Sequence, residues 1–493
     1  MSPRTRIFLG RHVNLPVRIC LAALLLAALN ALAAPPSVEG QPQSVTYDTL
    51  VEYEGTYEYD NGSTLQIAAS PADIILYALI AGAKYPLIAT SATDTFTNVA
   101  DERVVFTRDD KHNVSGYRLA GDGDVFRRLS LGGDYPRSMW YPRLAVQDPD
   151  YSYQYAAPTD GHDGIPVGSI SGAGLDASPI YTMVQEIISG KYPDQHSVLI
   201  AKNGRLVVEE YFYEYDVGTP HQLRSATKSF VSALVGIAID QGLIESVENP
   251  VLPYFADEYR SFQHVTPAKE RMTIEDLLTQ RSGLACDDWD ADSPGNEVEM
   301  GQSTDWVKFV LDLPMTAEPG TETHYCSGAV IVLGRLVEKA AGVPLEAFAG
   351  EHLFGPLGIE EYKWRFEPDS SSSETFTQMY LRPRDMMKLG LLFANSGRWK
   401  GSQVISEEWV AKSTSSHATV GDTDYGFLWW RPYLHVSGDR HDAIAAQGNG
   451  GQEIYLWPEL DLVVVLTGGS YNKSSHTNRL LVDYIVPSVE ASQ

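Results

Sequence analysis

The stretch Arg224-Ser225-Ala226-Thr227-Lys228-Ser229-Phe230, continued by residues 231–239, decides how this 493-residue chain is read. Between 231 and 239 only Ser232 interrupts apolar or small residues, which predicts a helix buried nearly all round. Three residues is close to one helical turn, so Ser225 and Lys228 share a face with Cβ atoms about 5–6 Å apart. A hydroxyl needs a base to become a nucleophile at neutral pH. Burial disfavours the charged form of a lysine, which can then accept the hydroxyl proton. A serine in the first turn also keeps its backbone N–H free to face a developing oxyanion. The other reading of the same residues is a core helix with a snorkelling lysine. Spacing does not separate the two, because this composition meets Ser-x-x-Lys about once by chance. A second copy does stand at Ser470-Tyr471-Asn472-Lys473, but it follows Gly468-Gly469 in a polar stretch and reads as a loop.

Outward from the first copy the pattern is α/β. A helix is predicted over 180–189. Ser197-Val198-Leu199-Ile200-Ala201 and Leu206-Val207-Val208-Glu209-Glu210 read as strands joined by Asn203-Gly204, a hairpin signal because both residues tolerate positive φ. Further strands are predicted at 425–430, 453–457 and 462–467, then a helix near 474–485. The long interval between the two ends is mostly helical in pattern. The economical architecture is an antiparallel sheet built from both ends of a domain at 175–488, packed with helices, with a helical subdomain inserted. Upstream, 41–143 carries short alternating runs such as Thr64-Leu65-Gln66-Ile67 and Arg103-Val104-Val105-Phe106, broken by Asn61-Gly62 and Gly121-Asp122-Gly123. Apart from a short helical-period stretch near 74–80 the period is that of strands, so a small all-β accessory domain, barrel or sandwich, is expected. A Tyr-, Pro-, Asp- and Gly-rich linker at 144–174 joins the two.

Residues 1–33 read as a secretory signal peptide. Arg4, Arg6, Arg11 and Arg18 precede an uncharged run at 19–29, too short to cross a ~30 Å bilayer, and Ala31-Leu32-Ala33 offers small residues for cleavage. The mature chain is expected to begin near Ala34 and to be soluble, periplasmic or secreted, with no stable membrane insertion. A net charge of −27, from 37 basic and 64 acidic residues, excludes a basic nucleic-acid binder. The chain has no Gly-x-Ser-x-Gly elbow, no pair of histidines four apart and no Gly-rich nucleotide loop, so neither a metal nor a cofactor is implied.

Downstream of Ser225-Ala226-Thr227-Lys228 come Met272-Thr273-Ile274-Glu275-Asp276-Leu277-Leu278-Thr279-Gln280-Arg281-Ser282-Gly283-Leu284, Pro319-Gly320-Thr321 leading to Tyr325-Cys326-Ser327, and Gly448-Asn449-Gly450-Gly451-Gln452. This ordered set resembles the penicillin-recognising serine hydrolases, the superfamily of β-lactamase-like esterases, amidases and D-Ala-D-Ala peptidases, and specifically its class C-like branch, over roughly 164–485. The resemblance implies an α/β (α+β) β-lactamase/transpeptidase-like fold, with the site in a cleft between an α/β and a helical part. It implies Ser225 as nucleophile, Lys228 as its base and Tyr325 as the second member of the proton relay. Ser327 stands where the family's Tyr-x-Asn motif has Asn, and is shorter. The family's Lys-Thr-Gly strand aligns near Ala446-Gln447-Gly448, without its lysine, so a β-lactam or peptide carboxylate loses its usual cationic partner. Asn449 is expected to add a second oxyanion N–H beside that of Ser225. Ser327, Gln447, Gly448 and Trp430 are expected at the substrate, although core packing accounts equally well for Trp429 and Trp430.

The implied reaction is hydrolysis of a small-molecule ester or small amide by acyl transfer. A D-Ala-D-Ala-type peptidase or β-lactamase is the alternative enzyme, and a binding protein with a relic site the alternative of another class. Oligomeric state is left open. Cys286 and Cys326, the only cysteines beyond the leader, are candidates for a disulfide in an oxidising compartment, with two buried free thiols as the alternative. If the resemblance holds, both border the same cleft.

Overall fold

Alternation builds the amino-terminal unit. In Gly55–Glu58, Thr64–Ala69, Leu76–Ile80, Ala83–Ala89, Arg103–Arg108 and Val114–Leu119, buried residues alternate with more exposed ones over much of the strand, and Thr95–Thr97 and Val125–Leu131 complete the unit. The eight strands pair antiparallel in chain order and close into a barrel, which leaves no unpaired sheet edge. Its interior is aromatic, with Tyr53, Tyr57, Phe96, Phe106, Tyr117 and Phe126 in one cluster. Residues 76–80, expected as a helical-period stretch, are a strand, with Leu76, Ala78 and Ile80 buried and Tyr77 and Leu79 less so.

The structure is a computed structural model that describes residues 45–490 apart from 60–61, 81, 91–93, 100–101, 120–124, 144–150, 365 and 367–378. The expected signal peptide, and the first part of the expected linker, lie outside the described residues.

Beyond the barrel, eight antiparallel strands form one sheet. Its order is Arg205–Tyr211, Gln195–Lys202, Leu462–Gly468, Gln452–Trp457, Ile444–Gly448, Trp430–Arg431, Thr423–Tyr425 and Ala418–Val420. Asn203 and Gly204 take φ of 52° and 70° in the first hairpin, the turn geometry that two such residues permit. The carboxy-terminal strand Leu462–Gly468 pairs with Gln195–Lys202, Val464 opposite Ile200, so the sheet is indeed made from both ends of this part of the chain. Successive side chains of a strand face opposite ways. Val198, Ile200 and Val464 face the helix Ala177–Ile188, capped by Asp176, and the terminal helical residues 477–490. Leu199, Ala446, Ile454 and Val465 face the helical body, where Thr227–Asp240, Ser327–Ala341 and Pro383–Ala394 pack.

In this part of the chain two expected elements differ. Residues 425–430 are not one strand: Leu428 leaves the sheet with φ 61°, its N–H donating to the Leu278 carbonyl at 3.1 Å and its own carbonyl accepting from Ser229 Oγ at 2.7 Å. The last helical stretch begins at Thr477, later than expected. Among the described residues no helix is long and apolar enough to cross a membrane.

Candidate active site

A 3-10 turn, Arg224–Ala226, leads into the helix Thr227–Asp240, of which every residue from Thr227 to Ala238 is buried. Ser225 lies half-buried at the mouth of this turn. Lys228 is buried, so its amine is spent on neighbours. Lys228 Nζ donates to Ser225 Oγ at 2.9 Å and to Ser327 Oγ at 3.0 Å. Ser327 is the first residue of the helix Ser327–Ala341, so two helix starts meet at one lysine. The shorter side chain that replaces Asn in the family motif therefore does reach Lys228.

Tyr325 approaches the same lysine by its ring face, with Lys228 Nζ 4.8 Å from the centroid. Its ring stacks on Trp289 at 5.1 Å and on Trp430 at 5.7 Å, and the two indoles lie 6.3 Å apart. Trp430 thus stands beside Tyr325, whereas Trp429 is fully buried against Phe393 and belongs to the core.

Behind Ser327 lies a feature that the motifs did not single out. Asp288 accepts the backbone N–H of Ser327 at 2.7 Å and that of Glu297 at 2.8 Å, and Ser327 Oγ donates to Glu297 Oε2 at 3.4 Å. Burial, and then the neighbouring Glu297 carboxylate, push the Asp288 carboxyl up to about 7, against the pull of Lys228. Cys286 and Cys326 are joined, with Cα atoms 5.5 Å apart. The bond ties the segment of Asp288 and Trp289 to that of Tyr325 and Ser327.

The strand Ile444–Gly448 forms the opposite wall. A Cβ at Gly448 would lie 2.2 Å from the Leu223 carbonyl oxygen and 3.1 Å from Ala226 N, so only glycine lets this strand touch the serine turn. Asn449 follows, exposed, its side chain exchanging hydrogen bonds with Asn472. Gln447 does not serve as expected. Its Nε2 donates to Tyr455 Oη at 2.6 Å, on the sheet face away from the Ser225 helix, because alternation gives the near face to Ala446. Ala446 is itself fully buried, so no cation stands where the family strand carries lysine. Among the described residues no cluster of three His, Cys, Asp or Glu could hold a metal ion.

The family model described as Beta-lactamase matches residues 195–483. The 6-aminohexanoate-dimer hydrolase of Paenarthrobacter ureafaciens is 22% identical over 292 residues, which cover 54% of this chain and 70% of that protein. Among solved structures, a family VIII carboxylesterase superposes with a TM-score of 0.52 at 17% identity, covering 64% of this chain and 96% of its own. Simvastatin synthase of Aspergillus terreus gives 0.51 at 16% identity, over 64% and 100%. At these identities the structural likenesses speak to fold.

Proposed function

Because the chain belongs to the β-lactamase family, we propose that it is an exported serine hydrolase that cleaves an ester or small amide through an acyl-serine intermediate. The observation that carries this reading is the buried Lys228 held between Ser225 and Ser327 while Ser225 stays half-exposed. Ser225 Oγ attacks the substrate carbonyl and its proton passes to Lys228 Nζ. The backbone N–H groups of Ser225 and Asn449 face the oxygen that gains charge. The proton held by Lys228 passes through Tyr325 to the leaving group, whose bond to the carbonyl carbon then breaks, so that both residues are returned to their starting state. Water repeats the attack on the acyl-serine, releasing the acid and restoring Ser225.

The name of the 6-aminohexanoate-dimer hydrolase supports a small substrate. The absent lysine weighs against a β-lactamase or D-Ala-D-Ala peptidase, whose substrates bring a carboxylate to that position. The presence of Ser225, Lys228 and Tyr325 together weighs against a binding protein with a relic site. Residues 1–33 and the Cys286–Cys326 bond support export, since disulfides persist in oxidising compartments.

Incubation with a fluorophosphonate followed by peptide mass spectrometry is the test, joined to a panel of nitrophenyl esters, linear amides and a chromogenic cephalosporin. An adduct on the Ser225 peptide, with turnover of an ester or amide, is expected. An adduct on Ser470 or Ser282 with Ser225 unmodified overturns the mechanism, and preference for the cephalosporin overturns the substrate class.

A further inference from the structure

The residue just before Ser225 reaches the barrel. Arg224 adopts a left-handed backbone conformation, φ 49°, which a residue with a Cβ keeps only where its surroundings hold it there. What holds it is aromatic. Its Nη2 donates to Tyr85 Oη at 2.8 Å, from the barrel strand Ala83–Ala89, and its guanidinium lies 4.8 Å from the ring centroid of Tyr471. Tyr85 and Tyr471 both belong to the barrel's core cluster, with ring centroids 6.1 Å apart. The side chain of Arg224 is therefore held against Tyr85 of the barrel, while its main chain is the first residue of the turn that carries Ser225.

Tyr471 also supports the other wall. A Cβ at Gly450 would fall 2.7 Å from its ring, Gly450 bridges to the backbone of Ser470, and Asn472 N donates to Asn449 Oδ1 at 2.9 Å. Gly448, one residue before Asn449, packs on the Leu223 carbonyl and on the Cβ of Arg224. The two stretches that offer backbone N–H groups to the oxyanion thus converge on one contact between an arginine and two tyrosines.

We infer that Tyr85 and Arg224 are positioning residues for the oxyanion pocket, which makes the barrel a working part of the catalytic site. The inference rests on the reading of Ser225 as nucleophile. Oxyanion donors act because they are aimed before the charge appears, and a small misplacement is felt most in the transition state. Among the described residues the Nε of Arg224 lacks a hydrogen-bond partner. Removing the Tyr85 hydroxyl takes away one of the two contacts that fix the fork and leaves only Tyr471, so the turn is held less firmly against relaxation from φ 49°. The loss belongs in kcat, because the substrate carbonyl makes weaker demands on the donors than the oxyanion does.

The test is Tyr85→Phe, with Tyr77→Phe as control. Tyr77 stands on the adjacent barrel strand with its side chain turned out of the barrel core, and its hydroxyl donates to Asp73 of the preceding turn. Tyr85→Phe is expected to lower kcat for the best ester of the panel about tenfold and to slow fluorophosphonate labelling of Ser225 in proportion, with KM within about twofold. Tyr77→Phe leaves all three unchanged. Arg224→Lys loses at least as much, and adding Tyr85→Phe to it costs nothing further, since both act through one contact. Amide hydrogen exchange on the full chain supplies a readout that needs no turnover. In Tyr85→Phe, exchange should quicken at 223–227 and 447–451 while the helix Ser327–Ala341 keeps its protection. Wild-type kcat with wild-type exchange at both segments overturns the inference, and so do losses that multiply in the double variant. Failure of the wild-type chain to label at Ser225 would instead strike the proposed nucleophile, and exchange in Tyr85→Phe would still decide whether the barrel braces the turn.

Discussion

At 225–228 and again at 470–473 the chain reads Ser-x-x-Lys. In the first stretch a 3-10 turn runs directly into a helix buried on all sides, and Lys228 is 6% exposed. It turns to Ser225 and Ser327. In the second, no helix begins until Thr477, and Lys473 runs out half exposed to pair with Asp194 at 2.6 Å. Between its two ends Tyr471 points back into the barrel core. The same spacing therefore gives a serine–lysine contact only where burial keeps the lysine from water and from acidic partners at the surface. Burial, not register, separates the pair whose lysine meets its serine from the pair whose lysine forms a surface ion bond.

The comparison breaks most decisively on the serines. Ser225→Ala is expected to lower ester turnover by about 10⁴-fold or more, whereas Ser470→Ala, which leaves its main-chain bridge to Gly450 in place, stays within about twofold. Equal losses in steady-state kinetics would erase the distinction. The lysines should follow. Lys228→Ala loses ~10²–10⁴-fold in kcat as general-base help is removed. Lys473→Ala keeps its kcat and changes stability by no more than ~1 kcal/mol, the scale of an exposed ion pair. Tyr325→Phe removes only a hydroxyl, so its expected loss of turnover should come with an unchanged thermal melt.

Two tests sharpen the contrast through the surroundings of the first pair. Cys286 and Cys326 stand 40 residues apart in the chain, and their bond contributes ~3–4 kcal/mol on the chain-entropy model. Reductant should lower both melting temperature and ester turnover, because the Tyr325 segment is no longer tied to that of Asp288 and Trp289. Two titratable thiols with neither quantity changed would show that the tie is idle. The smallest effect concerns pH. The Asp288 carboxyl is raised to about 7, so the folded chain holds that proton more tightly than the unfolded one. The stability it contributes is fully present below pH ~4 and is lost as pH rises through 7. Melting temperatures measured from pH 5 to 7.5 should therefore fall more steeply in the wild-type chain than in Asp288→Asn. Parallel slopes would contradict the assignment.

Much of the frame was legible because local pattern and burial agree. The helix after Ser225 shows no wet face in sequence, Asn203-Gly204 takes the positive φ values its residues favour, and the barrel strands alternate as written. What stayed hidden depends on contacts distant in the chain. The break at Leu428 is set by Leu278 and Ser229, and no feature of 425–430 foretells it. The face of Gln447 turned on strand phase, which the glycines after it obscure. Asp288 and Glu297 sit in an acidic stretch of a chain with 64 acidic residues, where a carboxylate ordinarily reads as a solvated loop. The Arg224–Tyr85 bond spans 139 residues, and Tyr471 lies inside a loop that looked merely polar.

The near-parallel rings of Trp289, Tyr325 and Trp430 have an optical consequence. Indole emission reports the water around it, and Trp289 is 38% exposed at the edge of the stack, whereas Trp429 and Trp457 are sealed in the interior. If Ser225 is acylated as proposed, an acyl group beside Tyr325 would strip water from Trp289 while the interior indoles stay as they are, and occupancy of the site should then register as a blue shift in fluorescence. Stopped-flow recording of that emission would time acylation and deacylation separately, on any substrate, coloured or not.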